Sequence, residues 1–246
     1  MSTQLELPYT FSRRALVEEK MGQHSVTKDT IEDIRTAYQV LGETIATIPS
    51  DKIDQNHVTL TMIKPRIHKD VDVSRLPTTL LTGSVPQDEE NLAHYLLSLL
   101  STELQPLLTF SLNLTLSEIV MFYSSAIKRM EAEQPYNVHE NDNFSNGADE
   151  FLSWLQSGPV TYSVLWDDDP QPGSGAVEKL IRANGRGLNR SWDVDDIKHH
   201  FPSAVRSLAR GNHNNLTHAS ASLSDVHNEL YILSTILNAR AGQFSG

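Results

Sequence analysis

The chain has 246 residues, with 20 basic and 31 acidic side chains and a formal net charge of -11 at neutral pH. This balance argues against a protein that binds along nucleic-acid backbones, because such binding depends mainly on neutralising phosphate charge. The sequence contains no cysteine, which excludes disulfide bonds and thiolate metal sites.

The length suits one large domain, with or without an extension, and is sufficient to bury a hydrophobic core. The amino-terminal segment has no long apolar stretch of the kind found in signal peptides, and no apolar run approaches the length needed to span a bilayer. We therefore expect a cytoplasmic protein with no membrane partner and no nucleic-acid partner.

Hydrophobic spacing divides the chain into alternating helices and strands. Residues 1–27 are polar and show no period, whereas residues 66–87, 133–146 and 186–203 are predicted to be long or irregular connections. Helices are predicted at residues 28–48, 88–104, 148–156, 176–183, 193–201 and 224–239, together with one that Thr115 or Ser117 caps and that runs to about residue 132. Strands are predicted at residues 57–63, 107–114, 160–166 and 215–218.

Short strands that alternate with helices favour an α/β (α+β) sandwich of the ferredoxin-like, split βαβ kind. Such a sandwich has a four-stranded antiparallel sheet covered by helices, and here an N-terminal helical extension would precede it. A Rossmann fold would require a glycine fingerprint after the first strand, and none is present. The glycine pairs at 173 and 175 and at 185 and 187 are too isolated to form phosphate loops.

The sequence offers no convincing set of protein ligands for a metal ion. The carboxylates at 167–169 lie in a loop rich in proline and glycine, where such runs are usually solvated. His199 and His200 lack a third ligand at a suitable spacing, so a zinc site is not expected.

Three segments, in order along the chain, resemble motifs of the nucleoside diphosphate kinase family. They are Thr59-Leu-Thr-Met-Ile-Lys64-Pro65, then Ser157-Gly158-Pro159-Val160 with a strand ending in Trp166, and finally Asn215-Leu-Thr-His218-Ala-Ser220 with Glu229. The resemblance covers roughly residues 58–236. It implies that residues 1–57 form an N-terminal extension with one helix and that residues 58–246 form a nucleoside diphosphate kinase-like domain.

The resemblance implies roles for individual residues. His218 would be the nucleophile that carries the phosphate, and Ser220 and Glu229 would orient its ring. Lys64 would contact the terminal phosphates and belong to the catalytic residues as well. The nucleotide would be bound by a set of side chains that comprises Lys64, Tyr123, Arg182, Arg206 and Asn215.

The implied reaction is a ping-pong phosphotransfer between a nucleoside triphosphate and a nucleoside diphosphate. Mg²⁺ would arrive with the nucleotide, since it prefers phosphate oxygens and water to an all-protein cage. A homo-oligomer is a further expectation from the family.

The chain also departs from the family pattern, and these departures keep a second interpretation open. The second phosphate-binding arginine aligns with Ile181, one residue before Arg182, and a carboxylate near the active site is replaced by Ala221. The base-stacking aromatic falls near Ala148, with Phe144 or Phe151 as substitutes. The alternative is a catalytically weak or inactive nucleotide-binding or assembly module on the same fold.

Overall fold

The computed structural model describes residues 28–132, 148–185, 194–210 and 216–243. Within these residues the main sheet has four strands, and every neighbouring pair is antiparallel. The strands are β1 (Val58–Ile63), β2 (Gln105–Leu112), β3 (Val160–Trp166) and β4 (Thr217–Ala219). They lie in the spatial order β2-β3-β1-β4.

Helices lie before, between and after these strands. Side-chain hydrogen bonds cap the first turn of two of them. Asp88 accepts a hydrogen bond from the backbone N–H of Asn91 at 2.6 Å, and Thr115 and Glu118 bond to each other's backbone N–H as a capping box. The described helices are α1 (Lys28–Ala46), α2 (Ser50–Asp54), α3 (Ile67–Asp70), α4 (Glu89–Leu100), α5 (Leu116–Ala132), α6 (Ala148–Leu155), α7 (Ala176–Asn184), α8 (Val194–His200) and α9 (Leu223–Gln243). None of the helices in these described ranges is long and apolar enough to cross a membrane.

The sheet is built from two interleaved βαβ units. Strands β1 and β2 run parallel with β3 between them, and α4 connects them. Strands β3 and β4 run parallel with β1 between them, and α7 lies on the connection. This split βαβ arrangement is the ferredoxin-like fold, so the fold predicted from the sequence is confirmed.

The central strand β1 is buried on both faces, including its two threonines, Thr59 and Thr61. Alternate residues point to opposite faces, so Leu60 and Met62 belong to one core and Ile63 to another. The first core lies under α1, α5, α6 and α9, and we term it the α9 core. The second lies under α4 and the 3₁₀ turn Val205–Leu208.

The extension before β1 contributes α1, which packs antiparallel along α9. The Ser234 hydroxyl donates to the backbone oxygen of Gly42 at 3.2 Å, and Arg240 donates to the Tyr38 hydroxyl at 3.1 Å. A Cβ atom at position 42 would lie 2.5 Å from Oδ1 of Asn238. The glycine therefore permits the close approach of the two helices.

The connection between β1 and α4 contains more structure than the sequence indicated. It holds α3 and a small hairpin, in which Leu81–Thr82 pairs with Val85–Pro86 around Gly83 at φ 68°. Strand β2 begins at Gln105 rather than at residue 107, because Pro106 lies on an edge strand where a missing N–H is tolerated. The predicted connection at 133–146 lies outside the described residues.

Candidate active site

His218 lies at the centre of the short strand β4, against the end of β1. The register places it opposite Met62, and its backbone oxygen accepts a hydrogen bond from the Thr61 hydroxyl at 2.7 Å. Its side chain is 24% exposed. The backbone is therefore fixed by the sheet while part of the ring faces outward.

A carboxylate from α9 fixes the orientation of the His218 ring. Nε2 of His218 lies 2.7 Å from Oε1 of Glu229, and the Ser220 hydroxyl donates to Oε2 at 2.6 Å. An ionised carboxylate only accepts hydrogen bonds, so Nε2 carries the proton and Nδ1 carries the lone pair in the neutral ring. Nδ1 makes no hydrogen bond to any residue within the described ranges. The site therefore presents a nucleophilic nitrogen.

Two aromatic rings from α5 pack against the imidazole. The ring centroids of Phe122 and Tyr123 lie 5.9 and 5.7 Å from that of His218, both in edge-to-face geometry. The Tyr123 hydroxyl donates to Sδ of Met62 at 3.6 Å, and burial raises its pKa well above the ordinary value. In this arrangement Tyr123 supports the histidine ring from within the core.

Lys64 lies directly after β1 and projects on the same face as His218. Its backbone N–H bonds to the Leu216 oxygen at 3.0 Å, which continues the pairing of β1 with β4. Since His218 lies opposite Met62, Lys64 is its diagonal neighbour across the two strands. Lys64 is 7% exposed. Its ammonium lies over the Trp154 ring.

The electrostatic environment of Lys64 is unusual. Burial lowers the pKa of its ammonium to about 7, and the positive charge of Arg206 adds to this effect, whereas Asp70 acts in the opposite direction. Burial also raises the pKa of Asp70, with Lys64 opposing that shift. Lys64 therefore lies near one positive side chain, Arg206, and one negative side chain, Asp70, and we term these three residues the charged cluster.

Arg206 reaches this cluster from the turn Val205–Leu208. The neighbours Val205 and Leu208 are buried in the second core, which fixes the turn against the sheet. Gly185, at φ 78°, ends α7 beside this turn, and a Cβ atom there would lie 2.7 Å from Cβ of Ala204. Only glycine suits this close contact and this backbone conformation.

The structure does not bring Arg182 to the same place. Its Nη2 atom lies 3.1 Å from the Ser174 hydroxyl and 3.6 Å from the Glu103 carboxylate. The start of α7 bonds to Asn56, just before β1, so these contacts lie at the opposite end of the sheet from Lys64. The Arg182 side chain therefore runs back along α7 towards the start of that helix. A one-residue shift in the alignment could not reveal this direction.

Other predicted positions have different outcomes. Asn215 lies outside the described residues, as do Phe144 and the side chains of Ala148 and Phe151. Ala221 is exposed at the start of α9, and its N–H donates to the Asp225 carboxylate at 3.2 Å.

Sequence reasoning missed three side chains that surround the site. Trp154 faces the Lys64 ammonium at 4.7 Å from the ring centroid, and Asp70 belongs to the charged cluster. Asn184, at the end of α7, is buried and accepts a hydrogen bond from the Thr217 hydroxyl beside His218. The tryptophan next to the Ser-Gly-Pro-Val turn was the available signal for the first of these.

The chain is similar to solved structures but matches no family model and no curated protein. The structure is similar to that of the Aquifex aeolicus nucleoside diphosphate kinase, with 18% identity, coverage of 72% of this chain and 93% of that chain, and a TM-score of 0.46. It is also similar to an NDP kinase from Pyrobaculum aerophilum, with 18% identity, coverage of 72% and 94%, and a TM-score of 0.34. The fold assignment itself rests on the strand order and connections described above.

Proposed function

We propose that the protein transfers the terminal phosphate of a nucleoside triphosphate to a nucleoside diphosphate through phosphorylated His218. The observation that supports this most directly is the fixed imidazole, held through Nε2 by Glu229, which in turn is held by Ser220. A neutral imidazole oriented in this way is a good nucleophile near neutral pH.

The reaction divides into two displacements. In the first, the Nδ1 lone pair of His218 forms a bond to the γ-phosphorus while the bond to the β,γ-bridging oxygen breaks, and the nucleoside diphosphate leaves with that electron pair. In the second, a terminal phosphate oxygen of another diphosphate attacks the phosphohistidine, and the electrons of the P–N bond return to Nδ1. Catalysis of such transfers depends on alignment and on charge stabilisation.

Lys64 and Arg206 supply the positive charge that the transferring phosphoryl group requires. They lie close enough for Arg206 to lower the pKa of Lys64, and Lys64 lies diagonally across from His218. A bound phosphate favours the protonated ammonium, so ligand binding and protonation of Lys64 reinforce each other.

The nucleotide enters as its Mg²⁺ complex, with the metal held by phosphate oxygens and water. Asn215 bonds the sugar hydroxyl or a phosphate, which is a role that the family resemblance assigns. Residues 58–246 form the phosphotransfer domain, residues 1–57 are an extension, and the active species is a homo-oligomer in a cytoplasmic setting.

Phosphoenzyme formation tests this function. With γ-labelled ATP and Mg²⁺, the protein should acquire acid-labile, alkali-stable phosphate that a nucleoside diphosphate removes as the triphosphate. His218→Ala should acquire none. His94→Ala is the matched control, since His94 is exposed on α4 and bonds only to Glu90 within the described ranges. No label on the parent protein, or label retained by His218→Ala, would refute the proposal.

A second candidate function is a nucleotide-binding or assembly module with little transfer activity. Two contacts favour it: the guanidinium of Arg182 lies at the far end of the sheet, and the Tyr123 hydroxyl is turned towards Met62. Tight binding of nucleotide without a phosphoenzyme would support this module and exclude the kinase.

A further inference from the structure

The Lys64 ammonium has a tryptophan ring as one of its walls. Nζ lies 4.7 Å from the centroid of the Trp154 ring, within the range of an energetically significant cation–π contact. The lysine is 7% exposed, so much of its hydration shell has been removed. Cation–π contacts are strongest when the cation is desolvated in this way.

Trp154 is itself held in place by its helix. The next residue, Leu155, is fully buried in the α9 core, and the backbone oxygen of Trp154 accepts a hydrogen bond from the Ser157 hydroxyl at 2.6 Å. Helix α6 also packs against α5, which carries the aromatic rings that contact His218. The backbone that carries the indole is therefore fixed beside the site.

The surroundings of the ammonium act on its charge in both directions. Burial and the charge of Arg206 disfavour protonation, whereas Asp70, itself half-buried, favours it. The negative face of an indole adds a second favourable contribution and requires no ionised partner.

We propose that Trp154 is a positioning residue for Lys64: its ring keeps the ammonium charged and directed towards the phosphate site, and so sets the affinity for phosphate-bearing ligands at neutral pH. The inference rests on the proposed function for the identity of the ligand, a nucleoside diphosphate. A tryptophan that only fills space would leave the protonation of Lys64 unchanged when replaced.

Protonation of Lys64 is measured without any ligand. Protein labelled with ¹³C at the lysine ε-carbon gives a signal for Lys64, assigned by its absence in Lys64→Arg, and this signal is followed from pH 5.5 to 10. The midpoint should lie near pH 7 in the parent protein. It should fall by about one pH unit in Trp154→Met and much less in Trp154→Phe, which keeps a ring face. Lys52, partly exposed on α2, is the internal reference.

Fluorinated tryptophan provides a test that leaves the shape of the site intact, since fluorine weakens the negative face of the ring. The sequence has 3 tryptophans, and all of them are replaced together. Progressive fluorination should lower the Lys64 midpoint stepwise in the parent protein. It should have no effect in the Trp154→Phe background, which assigns the effect to Trp154 even if Trp154→Met folds poorly.

Binding of ADP extends the test to the ligand. At pH 7 about half of the Lys64 side chains should be charged in the parent protein and about one-tenth in Trp154→Met. The variant should therefore bind ADP about fivefold more weakly at that pH. The ratio of the two dissociation constants should rise to about tenfold at pH 8 and approach one at pH 5.5.

An unchanged midpoint in Trp154→Met and in the fluorinated protein, or a ratio that does not vary with pH, would overturn the inference. These outcomes are separable from a failure of the proposed function. A shifted midpoint without any phosphoenzyme contradicts the kinase alone, whereas a phosphoenzyme with an unshifted midpoint contradicts the role of Trp154 alone.

Discussion

Oε1 of Glu229 lies 2.7 Å from Nε2 of His218, although the two residues lie on different elements, α9 and β4. The contact engages Nε2, while Nδ1 makes no hydrogen bond within the described residues. The orientation of the ring therefore depends on how α9 packs on the sheet.

Replacement of Glu229 tests this dependence. Glu229→Ala should lower the single-turnover rate of His218 phosphorylation by about 10- to 100-fold, because a hydrogen bond to a charged group contributes about 1.5–3 kcal/mol. Glu229→Gln keeps an acceptor for Nε2, so its single-turnover rate should decrease much less. Rapid quench with labelled MgATP gives the rates. Glu90→Ala, on the exposed face of α4, should match the parent protein, and equal rates in Glu229→Ala would show that the carboxylate does not orient the ring.

Lys64 should make the folded protein less stable at neutral pH. Its pKa is about 7 in the folded state, against an ordinary value of 10.5, so below pH 7 the fold contains a buried charge. Between these values the unfolded chain binds more protons, so stability rises with pH across this window. Lys64→Met should therefore stabilise the fold by a few kcal/mol, on the order of the cost of the shift, at pH 6.

The stabilisation from Lys64→Met should shrink as the pH approaches 10.5 and should be accompanied by loss of ADP binding. Urea unfolding at pH 6, 8 and 10 measures it, and Lys52→Met is the matched surface control. A destabilised Lys64→Met variant at pH 6 would contradict the assigned environment.

Much of the sheet could be predicted because its strands are short apolar runs with clear boundaries. Strand β3 begins and ends at the predicted residues, since Pro159 precedes it and an acidic turn follows it. The hairpin at residues 81–86 was missed because each of its strands has only two residues, too few to show alternation. The first helix was recognised from the spacing of Ile34, Tyr38 and Leu41.

The convergence of the candidate site residues could be predicted only where they lie close in sequence. His218, Ser220 and Glu229 lie within 12 residues and converge through one turn between β4 and α9. Trp154 reaches Lys64 across 90 positions of sequence, and helical periodicity cannot reveal which strand end its ring meets. The direction of the Arg182 side chain depends on contacts with Ser174 and Glu103, which no local pattern encodes.

The ion pair between Arg240 and Glu118 should anchor α9 to α5. Two donors of Arg240 reach the two carboxylate oxygens at 2.8 Å, and both side chains are largely buried. Removal of one partner leaves a buried charge, so Arg240→Met should lower the free energy of unfolding by about 2–4 kcal/mol at pH 7. Arg35→Met, which breaks an exposed pair with Glu32, should cost far less.

The same pair gives a defined acid dependence. Burial alone would raise the pKa of Glu118, but the hydrogen bonds from Arg240 and from Thr115 outweigh it and hold the pKa below its usual value. The stability that depends on this carboxylate is thus present above pH 4.5 and lost as the pH falls through the lowered pKa. The difference in free energy of unfolding between the parent protein and Glu118→Gln should decrease between pH 5 and pH 3. A difference that does not vary with pH would argue against the ion pair.

Gly42 should control how closely α1 packs on α9. A Cβ atom there meets Oδ1 of Asn238 at 2.5 Å and Cβ of Leu237 at 3.3 Å. Gly42→Leu should destabilise the fold by about 1–3 kcal/mol through overpacking and slow the phosphorylation of His218, because α9 carries Glu229. Val40→Leu, on the exposed face of α1, is the control. Unfolding and single-turnover rates measure the two effects, and an unaffected rate would show that α1 does not support the site.

The proposed reaction requires that Nδ1 of His218 receives the phosphate. It is tested most directly by alkaline digestion of the protein after reaction with γ-labelled MgATP and chromatographic separation of the two phosphohistidine isomers. The structure predicts Nδ1-phosphohistidine in the parent protein and none in His218→Ala. Phosphate on Nε2, on another residue or on no residue would contradict the account.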